Sequence, residues 1–431
     1  MSSTARRTLA AAGSVALLVS GCGGIVADDP TVNGTAGAAG SADSAAAAIT
    51  VSSTDTECAL STDTTNSGTT TFSVVNDGGK ITEFYLLGED GLRIVGEREN
   101  IAPGATADLV VSLQPGTYFT ACKPGMRGAN VGRAEFTVTG DPIEVSGENA
   151  ELYDAAVADY VNFVKNEVAE LQPKVDQLVA AYVAGEDEKA RDLFPTTRIH
   201  YERIEPIAEA LGVLDPRIDY REIDYLAEVE ALEQDDPTFT QWLGFHRIEK
   251  DLWVPAEDAL QPDGSNAWDG WEPSTPAQRS EIGAALRADV ATLYDTVHAA
   301  DFAADQGLDI ATVANGASAL LEEIAVSKVT GEEDWWSHTD LYDFQGNLQG
   351  AQIAFDLVAP IAQRTPEGRE LVDTIATEFG ALQGLLGQYG SLEDGFISYA
   401  EVDRDQQREL VDQIDATREP LSRLTATVLA S

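Results

Sequence analysis

The segment GFHRIEKDLW, from Gly244 to Trp253, places His246 three residues before Glu249. Residues three apart lie on the same face of a helix, so an imidazole and a carboxylate would point to the same side. Such a pair can ligate a metal ion, form half of a zinc-peptidase site, or be an ordinary histidine beside a helical salt bridge. The spacing alone leaves these three interpretations open.

Two further groups of carboxylates occur in helical stretches. YERIEP places Glu202 and Glu205 three residues apart, and LLEEI places Glu322 and Glu323 within an apolar stretch. Carboxylates and imidazoles from separate helices converge in the interior of di-iron bundles, and mostly oxygen ligands suit iron, manganese or calcium better than copper(I). The alternative is that these residues are solvated surface charges, which are common in a chain with 73 acidic residues.

The sequence gives little support to a peptidase. Its four histidines lie at positions 200, 246, 298 and 338, and it contains neither an HEXXH motif nor a Gly-x-Ser-x-Gly elbow. Zinc peptidases need more ligands than one histidine–glutamate pair. We expect His298 and His338 to be structural.

The charge of the chain limits its partners. The 431 residues include 27 basic and 73 acidic ones, which gives a net charge of −46. A chain of this charge repels phosphate backbones, which excludes nucleic acid as a partner, and it attracts cations.

The N-terminus predicts export and a lipid anchor. Residues 1–21 contain Arg6, Arg7 and an apolar run that is too short to span a bilayer, as in a signal peptide. The run ends in VSGC, which resembles a bacterial lipobox, and this resemblance implies lipid attachment to Cys22. We therefore expect the protein to be tethered outside the cytoplasmic membrane.

The remaining chain predicts an α+β multidomain protein. Residues 22–48 are rich in Ala, Gly and Ser, as in a flexible linker. Residues 49–140 contain short β-prone runs between turn residues, which predicts an all-β sandwich. Residues 148–431 have apolar residues at three- and four-residue steps, which predicts an all-α bundle that includes a helix over 237–260. With Cys22 lipidated, Cys58 and Cys122 would form a disulfide in an oxidising compartment.

Three segments of the helical part resemble the imelysin-like domain of bacterial iron-uptake proteins of the EfeO type. They are ARDLFPTTRIHYERIEPIAEALGVLDPRIDYRE, GFHRIEKDLW and EEIAVSKVTGEEDWWSHTDLYDFQGNLQGAQ, in the order that the family has them. The resemblance implies an all-helical, two-fold repeated bundle with an iron site. Its ligands would be Glu202, Glu205, Asp219, His246, Glu249 and Glu323. Crowded carboxylates should have raised pKa values, so binding should weaken in acid.

Residues 49–140 resemble the cupredoxin-like domain of the same family in TECAL, ITEFYLLGEDGLRIVGERENIAPG and LQPGTYFTACKPG. This resemblance implies a second metal site, for copper or iron, at Cys58, Glu83 and Cys122. A disulfide and a Cys–Glu–Cys metal site are therefore two open alternatives for the cysteine pair.

The family resemblance implies the function. The protein would be a lipid-anchored, extracytoplasmic component that binds Fe(II) or Fe(III) and passes it to an EfeU-type membrane permease, together with an EfeB-type haem peroxidase. We expect a transport component rather than an enzyme, with a ferrous oxidation step as the one open exception. The alternatives are a polysaccharide-binding imelysin-like protein and a metallopeptidase.

Overall fold

The computed structural model describes residues 48–89, 91–143, 148–231 and 240–431. The predicted signal peptide, Cys22 and the linker up to residue 47 lie outside the described residues. Within the described ranges, no helix combines the length and the apolar character that crossing a membrane requires.

Residues 49–139 form the predicted β-sandwich. Its strands are β1 (Ile49–Ser53), β2 (Cys58–Leu60), β3 (Thr64–Asn66), β4 (Gly68–Asn76), β5 (Thr82–Leu87), β6 (Ile94–Ile101), β7 (Thr106–Leu113), β8 (Gly116–Cys122) and β9 (Val131–Thr139). One sheet has the order β2-β1-β4-β7 and the other β3-β9-β8-β5-β6. Alternate residues of β4 are buried, as expected for a strand with one face on a core. In that core Phe72 lies with its ring centroid 5.3 Å from those of Phe84 and Phe136.

The chain from residue 148 onward forms the predicted helical bundle. Its helices are α1 (Glu148–Ala184), α2 (Asp187–Glu202), α3 (Glu205–Glu209), α4 (Leu214–Asp219), α5 (Glu222–Ala231), α6 (Phe245–Leu252), α7 (Pro276–His298), α8 (Phe302–Asp305), α9 (Ile310–Glu323), α10 (Asp340–Ala362), α11 (Pro366–Leu386), α12 (Arg404–Leu421) and α13 (Leu424–Leu429). A π-helix (Ile324–Lys328) continues α9, a 3-10 turn (Tyr399–Glu401) precedes α12, and β10 (Gly390–Ser391) pairs with β11 (Gly395–Phe396).

Helix α10 packs against α2 through glycines. A Cβ on Gly346 would lie 2.7 Å from Cβ of Glu202, and one on Gly350 would lie 2.3 Å from the carbonyl oxygen of Arg203. These distances are too short for any larger side chain. The two glycines therefore hold α10 close to the end of α2, where the predicted site begins.

The structure corrects the prediction of one helix over 237–260. Of the described residues 240–260, helix α6 covers only Phe245–Leu252, and positions 237–239 lie outside the described residues. Gly244 precedes it with φ +87°, and a Cβ there would lie 2.2 Å from the carbonyl oxygen of Ile218. The chain therefore turns sharply at Gly244, in a conformation that favours glycine, and packs directly against the end of α4.

The structure contains the Cys58–Cys122 disulfide and does not assemble the alternative Cys–Glu–Cys site. Cys122 pairs with Phe84 across β8 and β5, and both side chains lie in the sandwich core. Glu83 precedes Phe84, so its side chain points to the opposite face of the sheet, where Tyr85 donates a hydrogen bond to it. The strand alternation thus separates Glu83 from the two sulfurs, which offer no thiolate while they are bonded to each other.

Candidate metal centre

The residues of the HRIE motif are buried. All eight residues of α6 are buried, and His246 and Glu249 are 2% and 1% exposed. The other charged side chains of this helix are paired, since Arg247 contacts Asp251 at 2.8 Å and Lys250 donates to Glu222. The alternative that Glu249 is a solvated helix charge is therefore wrong.

The two nitrogens of His246 face different groups. Nδ1 lies 3.1 Å from Oε2 of Glu249, and because a carboxylate only accepts, Nδ1 is the donor. Nε2 has no hydrogen bond and lies 3.3 Å from Oε1 of Glu333 and 3.6 Å from Oδ1 of Asp219. An imidazole that donates from Nδ1 to a carboxylate can offer Nε2 to a metal, as histidine ligands commonly do.

Glu249 is held on its other side by the backbone. Its Oε1 accepts the N–H groups of Trp336 and Ser337 at 3.0 Å and 2.8 Å. Both carboxylate oxygens are therefore engaged, one by His246 and one by the turn that follows Asp334. This arrangement orients the imidazole more directly than it ligates an ion.

Carboxylates from several elements gather on the Nε2 side of His246. Glu202, at the end of α2, Glu205, at the start of α3, Asp219, at the end of α4, and Glu333 each place one oxygen within 4.8 Å of the others. Asp219, His246 and Glu333 form a second group of this kind, and His246, Glu249 and Asp334 a third. The structure thus brings together five of the six predicted ligands around His246.

Glu323, the sixth predicted ligand, lies beside this group. Its Oε2 lies 3.1 Å from Nζ of Lys328, which also contacts Glu202 and Glu205. The neighbouring Glu322 points elsewhere and contacts Arg98 at 2.5 Å and Arg418 at 2.6 Å. The choice of Glu323 over Glu322 is therefore consistent with the geometry.

Two basic side chains lie inside the carboxylate cluster. Arg198, which is fully buried, donates to Asp219 and Glu202 and lies 3.0 Å from Glu333. The second is Lys328, whose side chain is 1% exposed. Buried carboxylates are stable only when they are paired or protonated, and these two cations supply part of the pairing.

The pKa values reflect burial and crowding. Burial, followed by the charge of Glu205, raises the pKa of Glu202 to about 7. Burial, opposed by the charge of Arg198, raises the pKa of Asp219 to about 6. Burial and Arg198 lower the pKa of His246, but the hydrogen bond to Glu249 and the close approach of the Glu333 carboxylate outweigh them and raise it to about 10. The imidazole is thus protonated in the metal-free centre near neutral pH.

Glu333 is the exception among these carboxylates. Although burial opposes ionisation, Lys328 and His246 hold its pKa well below the usual range. It is therefore ionised near neutral pH. Sequence reasoning missed Glu333, Asp334 and the two internal cations, although EEDWW lies within a segment that resembles the family and Arg198 lies one helical turn before Glu202.

The centre opens onto a cleft of about 800 Å³ between the sandwich and the bundle. The bundle contributes Glu205, Asp219, Glu323 and Glu333 to its lining, and the sandwich contributes Glu83, Glu97 and Glu99. Ion pairs cross from one wall to the other, at 3.1 Å between Lys123 and Glu228 and at 3.0 Å between Arg127 and Glu332. An ion that enters this cleft meets carboxylates on both sides.

The chain is a β-sandwich followed by a helical bundle, with a buried histidine–carboxylate cluster of metal-ligand types at the base of an acidic cleft. Residues 156–424 match the family model Imelysin (Peptidase_M75), and the chain belongs to this family. It is 35% identical over 378 residues to the iron uptake system component EfeO of Escherichia coli K12, a match that covers 87% of this chain and 90% of that protein. The proteins of the same name from Shigella flexneri and Escherichia coli O157:H7 match to the same extent.

Proposed function

We propose that this protein is the iron-binding component of an extracytoplasmic iron uptake system. The observation that carries the proposal is the free Nε2 of His246, buried and directed at Asp219 and Glu333 in a cluster of carboxylates. Hard oxygen donors with one imidazole suit ferrous or ferric iron. The relatives named as iron uptake components support the same assignment.

Iron would be held by His246, Asp219, Glu333, Glu205 and Glu202. Glu249 would act through His246, and Glu323 would face the ion from the cleft. The ion must displace the proton of His246 and the protons that Glu202 and Asp219 carry in mild acid. Binding therefore releases protons, and it weakens as the pH falls.

The proposal extends to the setting of the protein. The Cys58–Cys122 disulfide fits an oxidising, extracytoplasmic compartment. A lipid on Cys22 would keep the protein at the membrane, where an EfeU-type permease would accept the ion and an EfeB-type haem peroxidase would act alongside. The sandwich would contribute to iron uptake as one wall of the cleft. It would not ligate copper or iron through its cysteines, because Cys58 and Cys122 are bonded to each other and offer no thiolate.

Calorimetric titration of the chain lacking residues 1–22 with anaerobic Fe²⁺ tests the function. The variant His246→Ala should bind Fe²⁺ at least about a hundredfold more weakly, because losing a residue that binds the ion costs more than losing one that only orients a ligand, which costs about 10–100-fold. His298→Ala is the matched control, since His298 stacks on Tyr294 and lies in none of the three metal-ligand groups. An unchanged titration of the His246 variant would contradict the proposed site.

A further inference from the structure

The ammonium of Lys328 lies where a metal cation would bind. Its Nζ is 2.5 Å from Oε2 of Glu202, 2.9 Å from Oε2 of Glu205 and 3.1 Å from Oε2 of Glu323. The amide of Asn347 donates to the same oxygens of Glu202 and Glu205, at 3.2 Å and 2.9 Å. An ion that uses these oxygens therefore competes directly with the ammonium.

Of the two internal cations, Lys328 is the one that can leave. The guanidinium of Arg198 donates to three carboxylates and lies against the rings of Phe194 and Phe245, at 5.9 Å and 5.6 Å. Its planar fork is held by these three hydrogen bonds and by the two rings. Lysine carries a compact charge on a flexible four-carbon chain, so it can change partners without moving the backbone.

A π-helical turn places Lys328 at the centre. Lys328 ends the π-helix that begins directly after Glu323, and the N–H of Val329 donates to the carbonyl of Ile324 at 2.8 Å. In an α-helix, residues five apart point about 140° away from each other. The wider π turn brings Glu323 and Lys328 to the same side, and such turns are frequent at functional sites.

The three carboxylates around Lys328 form a path toward the cleft. The side chain of Glu202 is fully buried, whereas those of Glu205 and Glu323 are 9% and 16% exposed and line the cleft. The ammonium can therefore withdraw from Glu202 and Glu205 toward the cleft while it keeps Glu323 as its partner.

We propose that Lys328 is a tethered counter-ion, which occupies the empty centre, moves to Glu323 at the cleft when iron binds, and helps to expel iron when it returns. This inference rests on the proposed function, and it adds the means by which a tightly bound ion is released. A transport component needs such a means because it must give up its cargo.

The test compares Fe²⁺ binding to the wild-type chain with binding to Lys328→Met, which keeps the length of the side chain and removes its charge. The variant should bind Fe²⁺ about ten- to a hundredfold more tightly, the usual range for coupling between two sites, and release it more slowly to a chelator. Lys328→Arg, which keeps the positive charge, should not show this tightening. The control is Lys123→Met, which removes the same charge from the cleft wall but pairs with Glu228 rather than with a proposed ligand.

The outcomes separate this inference from the proposed function. A wild-type protein that binds no Fe²⁺ overturns both. A wild-type protein that binds Fe²⁺, with Lys328→Met equal or weaker, overturns only the role of Lys328, and so does an equal tightening in Lys123→Met.

A second measurement needs no variant and applies even if Lys328→Met does not fold. The wild-type chain is treated with an amine-reactive reagent, with and without Fe²⁺, and modification at Lys328 is read by mass spectrometry. Lys328 should be protected in the metal-free protein, where it is 1% exposed, and should react once Fe²⁺ is bound. Equal protection in both states overturns the inference.

Discussion

At the scale of the residue, the carboxylate of Glu249 decides which nitrogen of His246 keeps its proton when the imidazole is neutral, as it must be to bind a metal. Its Oε1 accepts two backbone N–H groups, and its Oε2 accepts the proton on Nδ1. A glutamine at this position would direct its single oxygen to the backbone and its NH₂ group to Nδ1. Nδ1 would then have to accept, and the proton would move to Nε2 and block the ligand.

Glu249→Gln should therefore weaken Fe²⁺ binding about 10–100-fold while the protein stays folded, the usual cost of losing an outer-shell partner. Nitrogen-15 NMR of His246 should show the proton on Nε2 in the neutral imidazole. A weaker titration without this change of tautomer would mean that Glu249 is itself a ligand.

The sequence could predict the chemistry of these residues but only part of the set. HRIE reveals His246 and Glu249 because both lie within one turn of α6, and YERIEP reveals Glu202 and Glu205 because they are close in the chain. Glu333 lies in the turn segment between the π-helix and α10, and it meets His246 from 87 positions further along the chain. A pattern of neighbouring residues cannot predict a contact between such distant positions, so the contact of Glu333 with His246 is seen only in the structure.

At the scale of the element, the contact between α10 and α2 sets the width of the centre. Asn347 of α10 donates to the carbonyl of Glu202 at 2.9 Å, and Gly350 meets the next carbonyl, that of Arg203. The two helices can approach this closely only because Gly346 and Gly350 have no side chains.

Gly350→Ala should push α10 away from α2. We expect it to destabilise the fold by about 1–3 kcal/mol, as overpacking does, and to weaken Fe²⁺ binding because Glu202 and Glu205 flank the displaced carbonyl. The matched control is Gly380→Ala on α11, where a Cβ meets nothing within 4 Å. In Gly380→Ala, the free energy of unfolding should rise by up to about 1 kcal/mol, because alanine has the higher helix propensity. Chemical denaturation and titration of both variants check this, and equal effects would show that packing at Gly350 is unimportant.

The sequence predicts whether a segment is helix or strand better than it predicts where each element begins and ends. Apolar periodicity correctly indicated a bundle after residue 148, and turn-separated β-prone runs indicated the sandwich. The boundaries of α6 were not predictable, because Gly244 is needed for its approach to Ile218 and that neighbour is distant in the chain. The break between α2 and α3 gives Glu202 and Glu205 different helices, and Pro206 lies in the first turn of α3.

At the scale of the whole molecule, the centre links stability to pH in the opposite sense from iron binding. Glu202 and Asp219 have folded pKa values of about 7 and about 6, above their ordinary values of 4.5 and 3.8. Between the ordinary and the raised pKa values of these two groups, the folded, metal-free protein holds more protons than the unfolded chain. Its free energy of unfolding therefore falls as the pH rises. Iron competes with the same protons, so its affinity rises.

Thermal melting across this range should show both trends. The melting temperature of the metal-free protein should fall from about pH 5 to about pH 7.5. Over the same range, the rise in melting temperature that Fe²⁺ causes should become larger. Glu202→Gln should make the melting temperature of the metal-free protein less dependent on pH. This variant separates the effect of the centre from the general repulsion of a chain with a net charge of −46. An equally steep fall in that variant would assign the trend to the overall charge.

The volume of the cleft also bears on how an ion would lose its water. Six water molecules occupy about 180 Å³ at about 30 Å³ each, well below the 800 Å³ of the cleft. The cleft therefore has room for a hexahydrated ion, and dehydration can proceed one water at a time as carboxylates replace each departing molecule. The costly loss of the last waters would then fall at Glu202 and His246, where the surroundings are fully buried and where the replacement ligands are already in place.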